Sequence, residues 1–278
     1  MLLSGDAIAF KAPTGIALDA DGNLYVMDAG NSRVVKFDRR GRPLLAWGQQ
    51  GEGDGQFRVV SENTGYLSLD REGNVYVADT DNQRIQKFDR AGKFLAKWAA
   101  HAPSGKKAYP VYITSDANGF VYTLTALDDG PTSLVQKYTS TGDFVVEWDT
   151  AGDARFQNPL AIASDNQGRV YVAEIVGVIY QFDGDGKLLS RFSLPSIKNT
   201  FATPTGLARD PAGNFYITDG PNSRALKVDA AGQVLAVWGG EGAGKGQLFR
   251  PYGVAVDGAS QVYIVENVND RVQVFAAR

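Results

Sequence analysis

A four-residue motif, Tyr-Val-x-Asp, recurs along the whole chain and constrains its fold more than any other feature. It stands at Tyr25–Asp28 and Tyr76–Asp79 and recurs in looser form, with last positions at Thr125, Glu174, Asp219 and Glu266. The intervals between the six last positions are 51, 46, 49, 45 and 47 residues. Six units of this length in a chain of 278 residues are typical of a repeat protein in which each unit forms a small sheet.

A second landmark keeps a fixed distance from the first. An aspartate lies nine residues before the last position of each motif, and a mostly small residue lies four residues before that aspartate. The aspartates are Asp19, Asp70, Asp116, Asp165, Asp210 and Asp257, and the residues before them are Gly15, Tyr66, Tyr112, Ala161, Gly206 and Gly253. Because both spacings are constant, the variable length must lie in the loops that join the units.

Each unit divides into four short segments rich in Val, Ile, Tyr and Phe, which are separated by turns containing Gly, Asn and Asp. In the first unit these segments are 15–18, 24–27, 34–37 and 44–47. β-branched and aromatic residues favour strands, and turn residues at this spacing favour hairpins. The sequence therefore predicts an all-β protein, a six-bladed β-propeller with four antiparallel strands per blade.

The predicted blades form a single domain and cover residues 11–48, 60–99, 108–149, 157–193, 202–239 and 249–278. The last unit ends after its third strand. Residues 1–5 contain Leu2-Leu3-Ser4, which is similar to Leu188-Leu189-Ser190 in the outer strand of the fourth unit. We therefore expect the N-terminal strand to complete the last blade and close the ring.

Several motifs of the chain resemble the NHL-repeat consensus. The clearest runs from Asp79 through Asn82 and Arg84 to Phe88 and follows a Gly-x-Gly-x-Gly-Gln-Phe loop at 51–57. Four units share an acid and an arginine five residues apart: Asp28 with Arg33, Asp79 with Arg84, Asp219 with Arg224, and Glu266 with Arg271. The resemblance implies a six-bladed NHL propeller, for example a bacterial sensor or scaffold domain.

The resemblance also implies enzyme classes that can be compared with the composition. Peptide-amidating lyases of this type hold zinc through several histidines, whereas this chain has one, His101. Streptogramin-lyase-like enzymes need a catalytic histidine, for which His101 is the single candidate. Lactonase-like propellers bind calcium through channel carboxylates and amides, and no motif of that group is recognisable here. A hydrolase or lyase that uses channel carboxylates, with calcium as its metal, is the alternative function.

Charge and composition limit the partners. The 28 basic and 31 acidic residues give a net charge of −3, which does not favour a nucleic-acid partner. Without cysteine, thiolate metal sites and cysteine nucleophiles are excluded. No apolar run approaches the ~18 residues of a membrane span. We expect a monomer without a cofactor, and the absence of cysteine favours an extracytoplasmic location.

Most repeated residues are interpreted as structural. The acid series ends the second strands near one mouth of the channel, and an arginine across the following turn is well placed to pair with each acid. A partial ring of carboxylates also suggests cation binding, which is the weaker interpretation. The outer-strand aromatic residues are expected to pack between elements of the fold: Trp47, Trp98, Trp148, Phe192 and Trp238.

Departures from the repeat give the candidate binding residues. Glu174 has no arginine partner, so its carboxylate is either solvated or free to contact a ligand. Tyr66 and Tyr112 occupy a position that is small in the other units, and the loop before Tyr66 is four residues longer than its equivalent. Further candidates at this mouth are Arg58, Glu62, Asn63, His101, Arg155, Asn158, Arg250 and Tyr252.

The favoured function is that of a non-catalytic binding or scaffold propeller. It would recognise a peptide, a protein or a small molecule at the channel mouth formed by the second to fourth blades. Tyrosines suit this role because they combine an apolar ring with a hydroxyl group.

Overall fold

Six antiparallel sheets of four strands follow one another along the chain and form the blades of a propeller. The computed structural model describes residues 2–3, 8–59, 65–103, 105–128, 133–151 and 154–276. The predicted all-β, six-bladed fold is confirmed. Helical structure in the described part is limited to two short turns, Ala29–Asn31 and Thr80–Asn82, each of which follows a second strand.

The strands of the first half of the ring include the short N-terminal strand β1 and all of blades 1 to 3. In chain order they are β1 (Leu2–Leu3), β2 (Pro13–Leu18), β3 (Leu24–Asp28), β4 (Arg33–Phe37), β5 (Pro43–Trp47), β6 (Leu67–Leu69), β7 (Val75–Asp79), β8 (Arg84–Phe88), β9 (Phe94–Ala99), β10 (Ala108–Ser115), β11 (Val121–Leu127), β12 (Ser133–Tyr138) and β13 (Phe144–Trp148).

The second half contains blades 4 to 6 and a small hairpin, β14–β15, that the sequence did not predict. Its strands are β14 (Thr150–Ala151), β15 (Ala154–Arg155), β16 (Pro159–Ser164), β17 (Val170–Glu174), β18 (Val178–Phe182), β19 (Leu188–Ser193), β20 (Pro204–Arg209), β21 (Phe215–Asp219), β22 (Arg224–Val228), β23 (Val234–Gly239), β24 (Pro251–Val256), β25 (Val262–Glu266) and β26 (Arg271–Phe275).

The N-terminal strand closes the ring, as the sequence predicts. Strand β1 pairs antiparallel with β26, with Leu2 opposite Gln273 and Leu3 opposite Val272, and becomes the outer strand of blade 6. The two ends of the chain therefore share one sheet. In a ring closed in this way, every blade packs between two neighbouring blades.

One hydrogen bond recurs in all six blades, at the end of the second strand that follows the first-to-second-strand turn. The tyrosine hydroxyl of the repeated motif donates to the aspartate of the first turn over 2.9–3.2 Å. The same aspartates also accept backbone N–H groups of the turn, as Asp19 does from Asp21 and Asn23. The fixed spacing of the two landmarks therefore corresponds to one repeated contact between a buried tyrosine and its turn.

Outer-strand aromatic residues of four blades pack against a turn of the next blade. Trp47 packs edge-on against Tyr25 of its own blade and covers Gly92 in the last turn of blade 2, where an added Cβ would lie 2.8 Å from the indole. The equivalent pairs are Trp98 with Gly142, Trp148 with Gly186 and Phe192 with Gly232. These turns need glycine because the aromatic ring of the preceding blade occupies the side-chain position.

The inner strands meet around a narrow apolar waist. Each blade supplies one buried aliphatic side chain from its first strand: Ile16, Leu67, Ile113, Ile162, Leu207 and Val254. The space left at this level of the channel is about 60 Å³, on the order of the volume of a water molecule or two. The waist therefore divides the channel into two separate mouths.

No helix in the described ranges is long and apolar enough to cross a membrane.

Candidate ligand site at the upper mouth

The two mouths of the channel are built from different segments. We call the mouth formed by the entry loops and the second-to-third-strand turns the upper mouth, and the mouth formed by the first-to-second-strand turns the lower mouth. A cavity of about 250 Å³ at the lower mouth is bordered by Asp19, Asp70 and Asp116. These carboxylates already bind tyrosine hydroxyls and turn N–H groups, so the acidic border belongs to the turns.

At the upper end of the second strands, buried ion pairs hold the hairpins in four blades. The Nε–carboxylate distances are 2.7 Å for Arg33–Asp28, Arg84–Asp79 and Arg224–Asp219, and 2.5 Å for Arg271–Glu266. These are the four pairs that the repeat predicts. The four carboxylates are fully buried, and none of them is among the residues that line the waist.

These four carboxylates, together with Glu174 of blade 4, also hold the loops that enter their blades. Their second oxygen accepts one backbone N–H of the entry loop over 2.7–3.0 Å in blades 1, 2, 4, 5 and 6. In blade 2 the arginine adds three bonds, because Arg84 donates to the carbonyls of Glu52, Gly53 and Gln56. The acid thus joins the second strand, the following turn and the entry loop.

Blade 3 replaces this arrangement with longer strands. Thr125 stands in place of the acid and shares a 2.8 Å hydrogen bond with Thr123. Strands β10 and β11 continue beyond it and pair Ala108 with Leu127. Extended backbone pairing therefore does in blade 3 what the carboxylate does elsewhere.

In blade 4 the structure corrects the expectation that Glu174 is solvated or faces a ligand. Glu174 is 3% exposed, and its oxygens accept the backbone N–H of Gln157 at 2.7 Å and the hydroxyl of Tyr180 at 3.3 Å. The phenol of Tyr180 lies where Gln86 and Gln273 donate to the acids of blades 2 and 6. The sequence analysis did not identify Tyr180 as the partner of Glu174 because it looked for an arginine.

A cavity of about 470 Å³ opens at the upper mouth between blades 3 and 6. Its lining combines two tyrosines, one arginine, two threonines and apolar residues: Tyr112, Leu160, Ile175, Thr203, Thr205, Gly220, Pro221, Arg250 and Tyr252. The predicted residues Tyr112, Arg250 and Tyr252 are therefore brought together. The cavity is centred further round the ring than the second to fourth blades named by the sequence.

Blade 5 positions Tyr252 through its threonines. Thr205 Oγ1 donates to the carbonyl of Pro251 at 2.7 Å, and Thr218 Oγ1 donates to the carbonyl of Tyr252. The backbone of Tyr252 also lies so close to Gly206 that an added Cβ there would be 2.2 Å from the carbonyl oxygen. A residue without a side chain is thus required at position 206, because the inner strand of the next blade approaches it so closely.

Tyr66 and Tyr112 form a tilted aromatic pair beside the waist. Their ring centroids are 4.3 Å apart with a tilt of 40°, and Tyr66 is 7% exposed. Burial, followed by the adjacent phenol of Tyr112, raises the pKa of Tyr66 well above its usual range, and burial likewise raises that of Tyr112. Tyr66 Oη has no hydrogen-bond partner of normal geometry in the ranges that the structure covers. Both phenols are therefore neutral donors at ordinary pH.

The other predicted site residues do not line the cavity. Arg58 pairs with Glu52 at 3.0 Å, and the exposed Arg155 lies 3.5 Å from Asp149. Asn158 is exposed and contributes its carbonyl to the N–H of Ile175. Glu62 and Asn63 lie outside the described residues.

His101 lies beside an outer strand. Its ring stacks on Phe144 of β13 with centroids 3.9 Å apart, and its backbone N–H donates to the hydroxyl oxygen of Tyr138 at 2.8 Å. No group of three or more His, Asp or Glu side chains within the described ranges is arranged to hold a metal ion.

Sequence reasoning missed the apolar half of the cavity, namely Leu160, Ile175, Pro221 and Gly220. One signal was available: the turn after the second strand of blade 4 begins with two adjacent β-branched aliphatic residues, Ile175 and Val176, whose side chains are 38% and 55% exposed. Two exposed aliphatic residues beside a channel mouth are unusual enough to indicate a contact surface.

The closed ring of six four-stranded blades defines the chain as a six-bladed β-propeller. The model of the NHL repeat matches residues 10–37 and 67–88, which contain the acid–arginine hairpins of blades 1 and 2. The chain therefore carries NHL repeats in blades 1 and 2 of this propeller.

The chain is similar in sequence to parts of longer proteins. The chain is 31% identical over 178 residues to peptidyl-glycine alpha-amidating monooxygenase B of Xenopus laevis, covering 59% of this chain and 19% of that protein. It is 30% identical over 151 residues to protein brain tumor of Drosophila melanogaster, covering 52% and 13%. It is 29% identical over 174 residues to NHL repeat-containing protein 3 of Mus musculus, covering 60% and 48%. The matches span less than half of each of these proteins.

Solved structures resemble the whole ring. A streptogramin B lyase superposes with a TM-score of 0.65 at 17% identity, covering 100% of this chain and 87% of that one. A gluconolactonase from Xanthomonas campestris superposes with a TM-score of 0.69 at 14% identity, covering 96% and 86%. At such identities the likeness shows the fold alone, because propellers carry many unrelated activities.

Proposed function

We propose that this propeller is a non-catalytic binding module that holds a small organic ligand in the upper-mouth cavity. The supporting observation is the cavity itself: about 470 Å³, lined by tyrosines, one arginine and apolar residues. Ligand pockets in proteins typically measure roughly 300–1,000 Å³ and combine apolar walls with a few polar groups. The cavity borders blades 3 and 4, in which the acid–arginine hairpin is replaced.

The chemistry of the lining favours binding over acid–base catalysis. The lining residues of the described cavity include no Asp, Glu or His, which are the usual proton-transfer groups. The single histidine of the sequence stacks on an outer strand, and the acids of the second strands are engaged in ion pairs and backbone contacts. These observations support the binding function over the carboxylate-dependent alternative.

A pair of tryptophan substitutions tests the site. Ile175→Trp fills the cavity from its rim, whereas Val176→Trp adds the same bulk to the neighbouring exposed residue, which does not line it. We expect ligand-observed NMR with a fragment library to identify fragments that bind the unmodified protein. The same fragments should not bind the Ile175→Trp variant and should still bind the Val176→Trp variant. Melting temperatures measured in parallel check that both variants are folded. Binding that survives Ile175→Trp unchanged would contradict the proposed site.

A calcium titration separates this function from the lactonase-like alternative. A binding module without a metal should show no change in melting temperature when millimolar calcium replaces EDTA. A saturating rise in melting temperature with calcium would instead support the alternative, because a ligand that binds only the folded state stabilises it.

A further inference from the structure

Taking the proposed binding function as its basis, we infer that the cavity selects a small organic carboxylate with an apolar body. Arg250 would hold the carboxylate, the tyrosine phenols would donate hydrogen bonds to it, and the aliphatic side chains of blades 4 and 5 would cover the apolar part.

Charge is the first argument. Arg250 is the single charged side chain among the described lining residues. It is exposed and forms no ion pair with a carboxylate in the described ranges, whereas Arg33, Arg84, Arg224 and Arg271 are all paired. A planar guanidinium that is free at a cavity rim suits a carboxylate, which it can bind through two parallel hydrogen bonds.

The phenols at the base are the second argument. Tyr112 lines both the cavity and the waist, and its ring packs at a tilt against Tyr66. Burial raises the pKa of both phenols, so they remain protonated and donate hydrogen bonds without repelling an anion. The hydroxyl of Tyr66 is buried beside the waist, and its approach to the phenol of Tyr112 does not meet the geometry of a hydrogen bond. Buried polar groups are normally satisfied, so an unsatisfied one beside a cavity indicates a missing acceptor.

The apolar wall is the third argument. Leu160, Ile175 and Pro221 face the same cavity as Arg250, and Ile175 is 38% exposed in the absence of a ligand. An apolar group seated here would remove this side chain from water, which is favourable in proportion to the area covered.

The buried acid of blade 4 does not oppose an anion. Glu174 immediately precedes Ile175 in the chain, but its oxygens are directed to the N–H of Gln157 and the hydroxyl of Tyr180. It is not one of the lining residues.

Two matched probes test the charge preference. Calorimetric titrations would compare 1-naphthylacetate with 1-naphthylacetamide, which share the ring system and differ in the charge of the head group. We expect the carboxylate to bind at least about tenfold more tightly than the amide. Arg250→Gln should remove that preference, while Arg155→Gln, which changes an exposed arginine outside the cavity, should preserve it.

The outcomes separate this inference from the function on which it rests. Equal binding of both probes, abolished by Ile175→Trp, would overturn the carboxylate preference and leave the binding site intact. No binding of either probe at millimolar concentration would overturn both. A preference that persists in Arg250→Gln would show that the anion is held elsewhere.

Tyr66→Phe supplies a readout that a purely structural role would not give. Removing a buried hydroxyl whose contact with the Tyr112 phenol is poorly aligned should keep or raise the melting temperature, because the desolvated polar group is deleted. If the hydroxyl contacts the carboxylate, the same change should weaken 1-naphthylacetate binding about three- to tenfold and leave 1-naphthylacetamide less affected. A lower melting temperature with unchanged affinities would mean that the hydroxyl serves the fold, and would overturn its assignment to the ligand.

Discussion

The two ends of the second strands are held by different contacts, and they differ in how strictly they repeat. At the lower end an aspartate accepts a tyrosine hydroxyl in all six blades. At the upper end an acid–arginine pair is present in four, while blade 3 uses longer strands and blade 4 uses Tyr180. The ring therefore keeps one constant end, and its other end tolerates changes where the cavity forms.

The largest expected effect is at a complete upper hairpin. Asp79→Asn leaves the buried guanidinium of Arg84 without a carboxylate and weakens the bonds from Arg58 N–H and Asn82. Breaking a buried pair by removing one partner costs about 3–5 kcal/mol. Urea denaturation should show a fall of this size in the free energy of unfolding.

The exposed pair between Asp54 and Lys97 is the matched control. Both side chains are about half exposed, and exposed pairs contribute about 0–1 kcal/mol. Asp54→Asn should therefore change the unfolding free energy by less than about 1 kcal/mol. Similar losses in the two variants would mean that the upper hairpins are not clamped by their buried ion pairs.

The lower end should give an intermediate effect with a characteristic pH dependence. Burial and the bond to Asp165 raise the pKa of Tyr171 to about 12. Since its pKa when unfolded is about 10, the protonated phenol stabilises the fold fully below pH 10, and that contribution is lost as pH rises toward 12. Tyr171→Phe should cost about 1.5–3 kcal/mol at neutral pH, the usual contribution of a hydrogen bond to a charged group.

Denaturation between pH 7 and 12 measures this prediction. The unmodified protein should lose stability above pH 10, and Tyr171→Phe should lose less over the same interval. Tyr180→Phe is a control at the upper end, because its bond to Glu174 is longer, 3.3 Å against 2.9 Å. An equal cost for both substitutions would remove the distinction between the two ends.

The smallest effect is expected at the exceptional hairpin of blade 4. Glu174→Gln keeps an oxygen acceptor for the N–H of Gln157 and leaves no buried arginine unpaired, so we expect a cost of about 1 kcal/mol or less. The same substitution in blade 6, Glu266→Gln, leaves Arg271 unpaired and should cost about 3–5 kcal/mol. Equal costs would show that Glu174 carries a partner energetically equivalent to arginine.

Contacts within a blade were predictable from the sequence, because fixed spacings define them. Asp79 and Arg84 are five positions apart in the sequence, and the two landmarks Asp70 and Asp79 are nine positions apart. Both spacings relate residues of one hairpin, so the contacts they make lie within that hairpin. The pairing of β1 with β26 also followed, since the last unit lacked an outer strand.

Contacts between blades were less accessible. Tyr112, Arg250 and Tyr252 were singled out separately, but their common cavity depends on how blades 3 to 6 curve around the axis, which no spacing encodes. His101 was predicted near the mouth because it lies in an entry loop, and the sequence does not determine which way such a loop turns. In the structure its ring stacks on Phe144 of an outer strand. Glu174 was misread because a tyrosine at another position of the hairpin replaces the arginine.

The six aliphatic side chains at the waist have a kinetic consequence. With about 60 Å³ left at that level, a molecule of the size of the probes cannot pass from one mouth to the other. A ligand held in the upper cavity, as we propose, would therefore arrive and depart through the upper mouth alone. Its residence time would be set at that mouth, and substitutions around the lower mouth should leave both the association and the dissociation rate unchanged.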